Sequence, residues 1–161
     1  MAEYFVFSEF VKSETADKMG IDNNPQDEQT KDNIIETMRL MDKIRGRWTS
    51  YCCGNCILKP QIIITSGYRC EALNTALNGS KTSYHRYGLA ADFKAKNGQN
   101  KALFEVIVNM IEEGDIVVSQ LIWEQGDDNN PNWIHISLYD GNKKNEILRY
   151  EKGKGYRKYC G

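Results

Sequence analysis

The chain has 161 residues, enough for one domain (1–161) with a hydrophobic core that needs no disulfide staples. Its formal net charge is -1, with acidic and basic residues interspersed, which argues against a nucleic-acid surface, where Lys and Arg would cluster. No apolar run approaches the roughly 20 residues that span a bilayer, so no membrane insertion is expected.

The stretch Met1-Ala2-Glu3-Tyr4-Phe5-Val6-Phe7 has no basic n-region, long apolar h-region or cleavage site. The expectation is a protein made in the cytoplasm without a signal peptide, reaching any outside target by another export or release route. Ser8-Glu9-Phe10 reads as a helix start with Ser8 as N-cap, running to Gly20. Asn23-Asn24-Pro25 is a turn, with Pro25 suited to the first position of a second helix. Ile34, Met38, Met41, Ile44 and Trp48 then recur at helical spacing and predict one apolar face of a long helix.

Three of the five cysteines crowd into Cys52-Cys53-Gly54-Asn55-Cys56 at the far end of that helix. Cys53 and Cys56 have the spacing of a zinc knuckle, but no second pair follows, and only the fold can bring up Cys70 or Cys160. Without a signal peptide, reduced thiols are expected. Gln61 to Thr65 is a short β-branched run closed by Ser66-Gly67, hence a buried strand, and Glu71 to Leu77 is a short helix ended by Asn78-Gly79. Ala90 to Ala95 reads as a strand, Gln99 to Glu113 as a helix, and Ile116 to Glu124 and Trp133 to Tyr139 as strands flanking a polar loop. Glu146 to Tyr150 is an expected edge strand, followed by a Gly- and Lys-rich tail. Helices first and strands later predict an α+β fold with a mainly antiparallel sheet.

The chain has two histidines, His85 and His135. Zinc enzymes hold the metal with three ligands drawn from His, Asp, Glu and Cys and leave a fourth position for water. Side chains alternate across a strand, so Trp133, His135 and Ser137 share the polar face of their strand, and Ala90, Asp92 and Lys94 share one face of theirs. Gln120, Ile122 and Glu124 share a face of a third strand. If the three strands are neighbours, His135, Asp92 and Glu124 converge on one groove, and a turn permitted by Gly88 can fold His85 back toward Asp92.

The motif Ser83-x-His85-x-x-Gly88-x-Ala90-x-Asp92, followed by Trp133-x-His135-x-Ser137, resembles the zinc D-alanyl-D-alanine carboxypeptidases and related phage peptidoglycan peptidases. These belong to the lysostaphin, D-Ala-D-Ala and Hedgehog fold group. The resemblance includes Phe7-Ser8-Glu9-Phe10, Ser13-x-Thr15-Ala16, the Gly20-Ile21-Asp22-Asn23 turn and Thr65-Ser66-Gly67-Tyr68-Arg69 with Leu73-Asn74, and covers about residues 5 to 140. It implies one zinc ion per chain, bound by His85, Asp92 and His135, with Arg69 holding a carboxylate or carbonyl oxygen of the substrate. Ser83, Gln120 and Trp133 are expected to line the substrate groove with it. Several relatives carry a catalytic Glu or His three residues before the last ligand; here that position is Asn132, which cannot take a proton from water. Glu124 is the best remaining general base, with Asp127 and Asp128 as rivals.

The activity implied is zinc-dependent hydrolysis of peptidoglycan stem peptides, at a D-Ala-D-Ala end or at a cross-link. That suits a phage or prophage endolysin, or a virion-associated wall hydrolase, acting on the cell wall after release or export. The alternative is a non-catalytic binding or virion structural module that keeps the zinc for stability.

Overall fold

A computed structural model describes residues 4–161 of the chain; of the N-terminal stretch considered for a signal, residues 1–3 lie outside the described residues. Two short helices, α1 (Phe7–Val11) and α2 (Glu14–Met19), precede the long α3 (Glu28–Gly54). The strands β1 (Ile62–Ser66), β2 (Ala90–Ala95), β3 (Val118–Glu124), β4 (Trp133–Leu138), β5 (Glu146–Glu151) and β6 (Gly155–Lys158) form one sheet. Helix α4 (Glu71–Ala76) follows β1, a 3₁₀ turn (Tyr84–Tyr87) precedes β2, and α5 (Asn100–Glu112) joins β2 to β3. Among the described residues, no helix is long and apolar enough to cross a membrane.

The α+β class is as expected, and the six-stranded sheet, in the order β1-β2-β4-β3-β5-β6, is mixed. β3 and β5 run parallel, while the other neighbours are antiparallel. The parallel pair follows from connectivity. β4 runs antiparallel to β3 along one of its edges and ends beside the start of β3. The short segment 139–145 then crosses to the other edge, so β5 sets off in the direction of β3. The strand expected at the sheet edge is therefore internal, and the edge is β6, formed from the tail.

One face of the sheet is covered by α3 and α5. The stripe Ile34, Met38, Met41, Ile44 and Trp48 is buried there, against Phe104 and Ile107 of α5 and Phe93, Leu121, Trp123, Ile134 and Ile136 of the strands. That core leaves the opposite face free to carry polar chemistry.

Two helix boundaries differ from expectation. The helix read as continuous from Ser8 to Gly20 breaks at Lys12, which is extended, and restarts with Ser13 as N-cap, its Oγ accepting from the Ala16 amide at 3.2 Å. The N-cap of α1 is Val6, whose amide donates to the Glu9 carboxylate at 2.9 Å, so Ser8 lies inside the helix. Pro25 does not start α3. Asp27 caps it instead, accepting from the Thr30 amide at 2.8 Å, because a carboxylate satisfies an orphan helix donor directly.

Candidate metal centre and cleft

The register of the sheet places Ser66, Asp92, His135, Ile122 and Leu148 in one row across β1, β2, β4, β3 and β5. The condition that the three strands be neighbours is met by the order β2-β4-β3. Above the row lies a cleft of about 940 Å³ whose lining includes Arg69, His85, Asp92, Glu124, Trp133 and His135.

His85 arrives from outside the sheet. Ser83 caps the 3₁₀ turn, its Oγ accepting from the His85 amide at 3.3 Å, and Gly88 closes it with φ +71°. A side chain at Gly88 would stand 2.7 Å from Ile34 Cγ1 and 2.9 Å from the Thr30 carbonyl, so the turn is seated directly on α3. Glycine there meets both the left-handed conformation and the close approach. Gly67 has the same constraint of space, since an added Cβ would overlap the Phe10 carbonyl oxygen at 2.3 Å.

These elements gather three ligand atoms within 4.8 Å of one another, one each from His85, Asp92 and His135. His85 Nε2 is 3.3 Å and His135 Nδ1 2.8 Å from the same oxygen, Asp92 Oδ1, and the two rings lie 5.1 Å apart edge-to-face. His85 Nδ1 donates to the Gly67 carbonyl at 2.6 Å, and that bond fixes its tautomer. His85 is 3 % exposed, and burial holds its pKa below the ordinary value of 6.5 against the pull of Asp92. With Nδ1 engaged by the Gly67 carbonyl, Nε2 is the ring nitrogen that faces the carboxylate. Burial opposes the charge of Asp92 but is outweighed by the two imidazoles, so the carboxyl lies well below its ordinary range. Two imidazoles and a carboxylate thus converge within the span of a single ion. Two imidazoles and one carboxylate form a donor set of the kind that holds catalytic zinc.

Arg69 meets this centre from the segment after β1. Its Nη2 donates to Asp92 Oδ2 at 3.0 Å and its Nε to Ser66 Oγ at 3.0 Å. The guanidinium therefore holds the outer carboxylate oxygen while Oδ1 faces the imidazoles, so the residue expected to contact substrate also makes a structural ion pair with a candidate ligand. The register shift between Ile64 and Ser66 marks where β1 departs from regular pairing beside Asp92.

Glu124, opposite Trp133 at the end of β3, is 9 % exposed and lines the cleft, and its carboxylate makes no hydrogen bond or ion pair among the described residues. Burial pushes its carboxyl up to about 7; the Asp92 charge adds to this, while His135 and Arg69 pull the other way. The rival carboxylates lie elsewhere. Asp127 accepts from the Asn129 and Asn130 amides at 2.8 and 3.0 Å, closing its loop, and Asp128 pairs with Arg149 at 2.6 Å. Both border a separate surface cavity together with Asn132.

Ser83, Gln120 and Trp133 all line the cleft, and Gln120 Nε2 donates to Glu146 Oε2 at 2.8 Å. Sequence reasoning missed Ser66, the Gly67 carbonyl and the Tyr156 wall contributed by β6. The Ser66-Gly67 pair was read as a strand end and as part of the motif leading to Arg69, with no role of its own at the site. Among the described residues no cysteine joins a ligand grouping: Cys52 is buried, with its thiol pushed up by burial, Cys70 is half-buried, and Cys53, Cys56 and Cys160 are exposed. His85, Asp92 and His135 are the one such ligand grouping among the described residues.

No curated protein matches the chain. A family model described as Peptidase M15 matches residues 3–137. The match takes in Arg69, His85, Asp92, Glu124 and His135 and spans well over half the sequence, and the chain belongs to the Peptidase M15 family.

Proposed function

We propose that this peptidase is a zinc enzyme hydrolysing peptidoglycan stem peptides, as a D-Ala-D-Ala carboxypeptidase or a cross-link endopeptidase, with one zinc ion held by His85, Asp92 and His135. The observation that carries the metal is the convergence of ligand atoms from His85, Asp92 and His135 within 4.8 Å of one another, in a cleft that also holds an unpaired carboxylate. The wall substrate rests on the ordered motif set around Arg69, His85 and His135. A phage or prophage endolysin, or a virion-associated hydrolase reaching the wall after release, is the setting that fits this substrate.

Zinc bound there would lower the pKa of water to about 7 and polarise a carbonyl. The remaining chemistry belongs to the chain. Gly67 and Arg69 hold His85 and Asp92 in place, the kind of support that orients metal ligands. Glu124, an unpaired carboxylate on the cleft wall, is the group to take a proton from an attacking water and return it to the leaving amine. A pKa near neutrality suits both transfers. Arg69, already at the lip of the cleft, offers a planar fork to a terminal carboxylate or to the oxyanion. Ser83, Gln120 and Trp133 border the space left for the peptide.

The test is mass spectrometry of products after zinc-loaded protein acts on purified peptidoglycan and on a soluble pentapeptide. Loss of one terminal D-Ala from the pentapeptide identifies a carboxypeptidase, and monomers released from cross-linked dimers identify an endopeptidase. Intact substrates with full zinc occupancy would contradict the proposal and favour a non-catalytic module.

A further inference from the structure

Asn23 stands out for a residue in a surface turn. Its neighbours Asp22 and Asn24 are exposed, yet Asn23 is 6 % exposed. Its side-chain amide makes three hydrogen bonds, all to backbone. Nδ2 donates to the Val11 carbonyl at 2.8 Å and to the Tyr68 carbonyl at 2.9 Å, and Oδ1 accepts from the Cys70 amide at 2.8 Å. The last two bracket Arg69.

The segment between β1 and α4 has no strand or helix ladder to hold it, so its backbone groups need other partners. Tyr68 donates its amide to the Phe10 carbonyl at 2.6 Å, and Arg69 donates its own amide to the His85 carbonyl at 2.9 Å. Asn23 supplies the two remaining bonds on either side of Arg69. The guanidinium then reaches Ser66 and Asp92 from a backbone fixed on both flanks. The task needs donors and an acceptor on one short side chain. Aspartate lacks the donors and would set a carboxylate against two carbonyls.

We propose that Asn23 is a positioning residue: it clamps the backbone around Arg69 so that the guanidinium holds Asp92 and faces the substrate. The kinetic part of this inference rests on the peptidase reading, and the clamp itself does not. Misplacement of a catalytic group by about 1 Å can cost on the order of 100-fold in rate.

The test is a double-mutant cycle on the zinc-loaded protein with the soluble pentapeptide, using Asn23→Ala and Arg69→Ala, with Asn23→Ser in place of Asn23→Ala if the latter fails to fold. Asn23→Ala should keep one zinc per chain and lower kcat/KM about 10- to 100-fold. In the Arg69→Ala background, the same change should cost less than about twofold, because the group it positions is gone. An equal loss in both backgrounds would overturn the proposal and make Asn23 merely structural. A second readout uses the metal-free protein. The Nε–H resonance of Arg69, assigned by its loss in Arg69→Lys, should move toward the free-arginine position in Asn23→Ala. An unmoved resonance, or failure of both Asn23 variants to fold, would overturn the proposal. If the parent protein hydrolyses nothing, the peptidase reading fails, and the resonance still decides the clamp.

Discussion

Glu124 is where residue-scale physics makes the sharpest demand. A carboxyl whose folded pKa is about 7, above its ordinary 4.5, makes the folded state hold a proton the unfolded chain would release. Stability from this group is fully present below about pH 4 and is lost as pH rises through 7, by about 3 kcal/mol at most. Glu124→Gln removes that penalty. The metal-free variant should therefore resist urea better than the parent at pH 8 and equally at pH 4. With zinc bound, the same variant should keep its metal and lose about two to four orders of magnitude in turnover. Equal stability of variant and parent at both pH values would show an ordinary solvated carboxyl. Normal turnover would remove Glu124 from the chemistry. At this scale the metal-binding grouping was legible, because imidazoles and a carboxylate on alternating strand positions carry their chemistry in their identity. The bond from Arg69 to Asp92 was not, since it depends on where β1 leaves regular pairing at Ser66.

Among elements, the 3₁₀ turn Tyr84–Tyr87 has the most consequence for its size, because it alone brings His85 to the sheet. Its seat on α3 depends on Gly88. Gly88→Ala puts a methyl into left-handed backbone and against the Thr30 carbonyl, which should cost about 1–3 kcal/mol of stability. The same displacement should move His85 and weaken zinc binding together with stability, measured by urea denaturation and zinc titration of the variant. A variant with lowered stability and unchanged zinc affinity would mean that His85 is held by the Gly67 carbonyl alone. The apolar stripe of α3 and the cores of β2, β3 and β4 were readable, since burial imposes periodicity on residue choice. The break at Lys12 and the cap at Asp27 were not, because Ser8 and Ser13, like Pro25 and Asp27, offer rival starts that tertiary contacts decide.

The whole molecule divides its labour between the two faces of one sheet. The buried face, under α3 and α5, supplies the core, and the opposite face carries the candidate metal centre, with Glu124 beside it. The α+β class was readable from element order, whereas the strand order, the parallel β3–β5 pair and the closing strand β6 were not. Those features arise from a crossover through residues 139–145 and from a Gly- and Lys-rich tail that looks like solvated coil. The proposed activity converges on one ion held at the row Asp92–His135 with His85 above it. Zinc content of the purified parent, His85→Ala and His135→Ala proteins measures that directly. The account predicts one zinc per parent chain and little or none in either variant; full occupancy in both variants would contradict it.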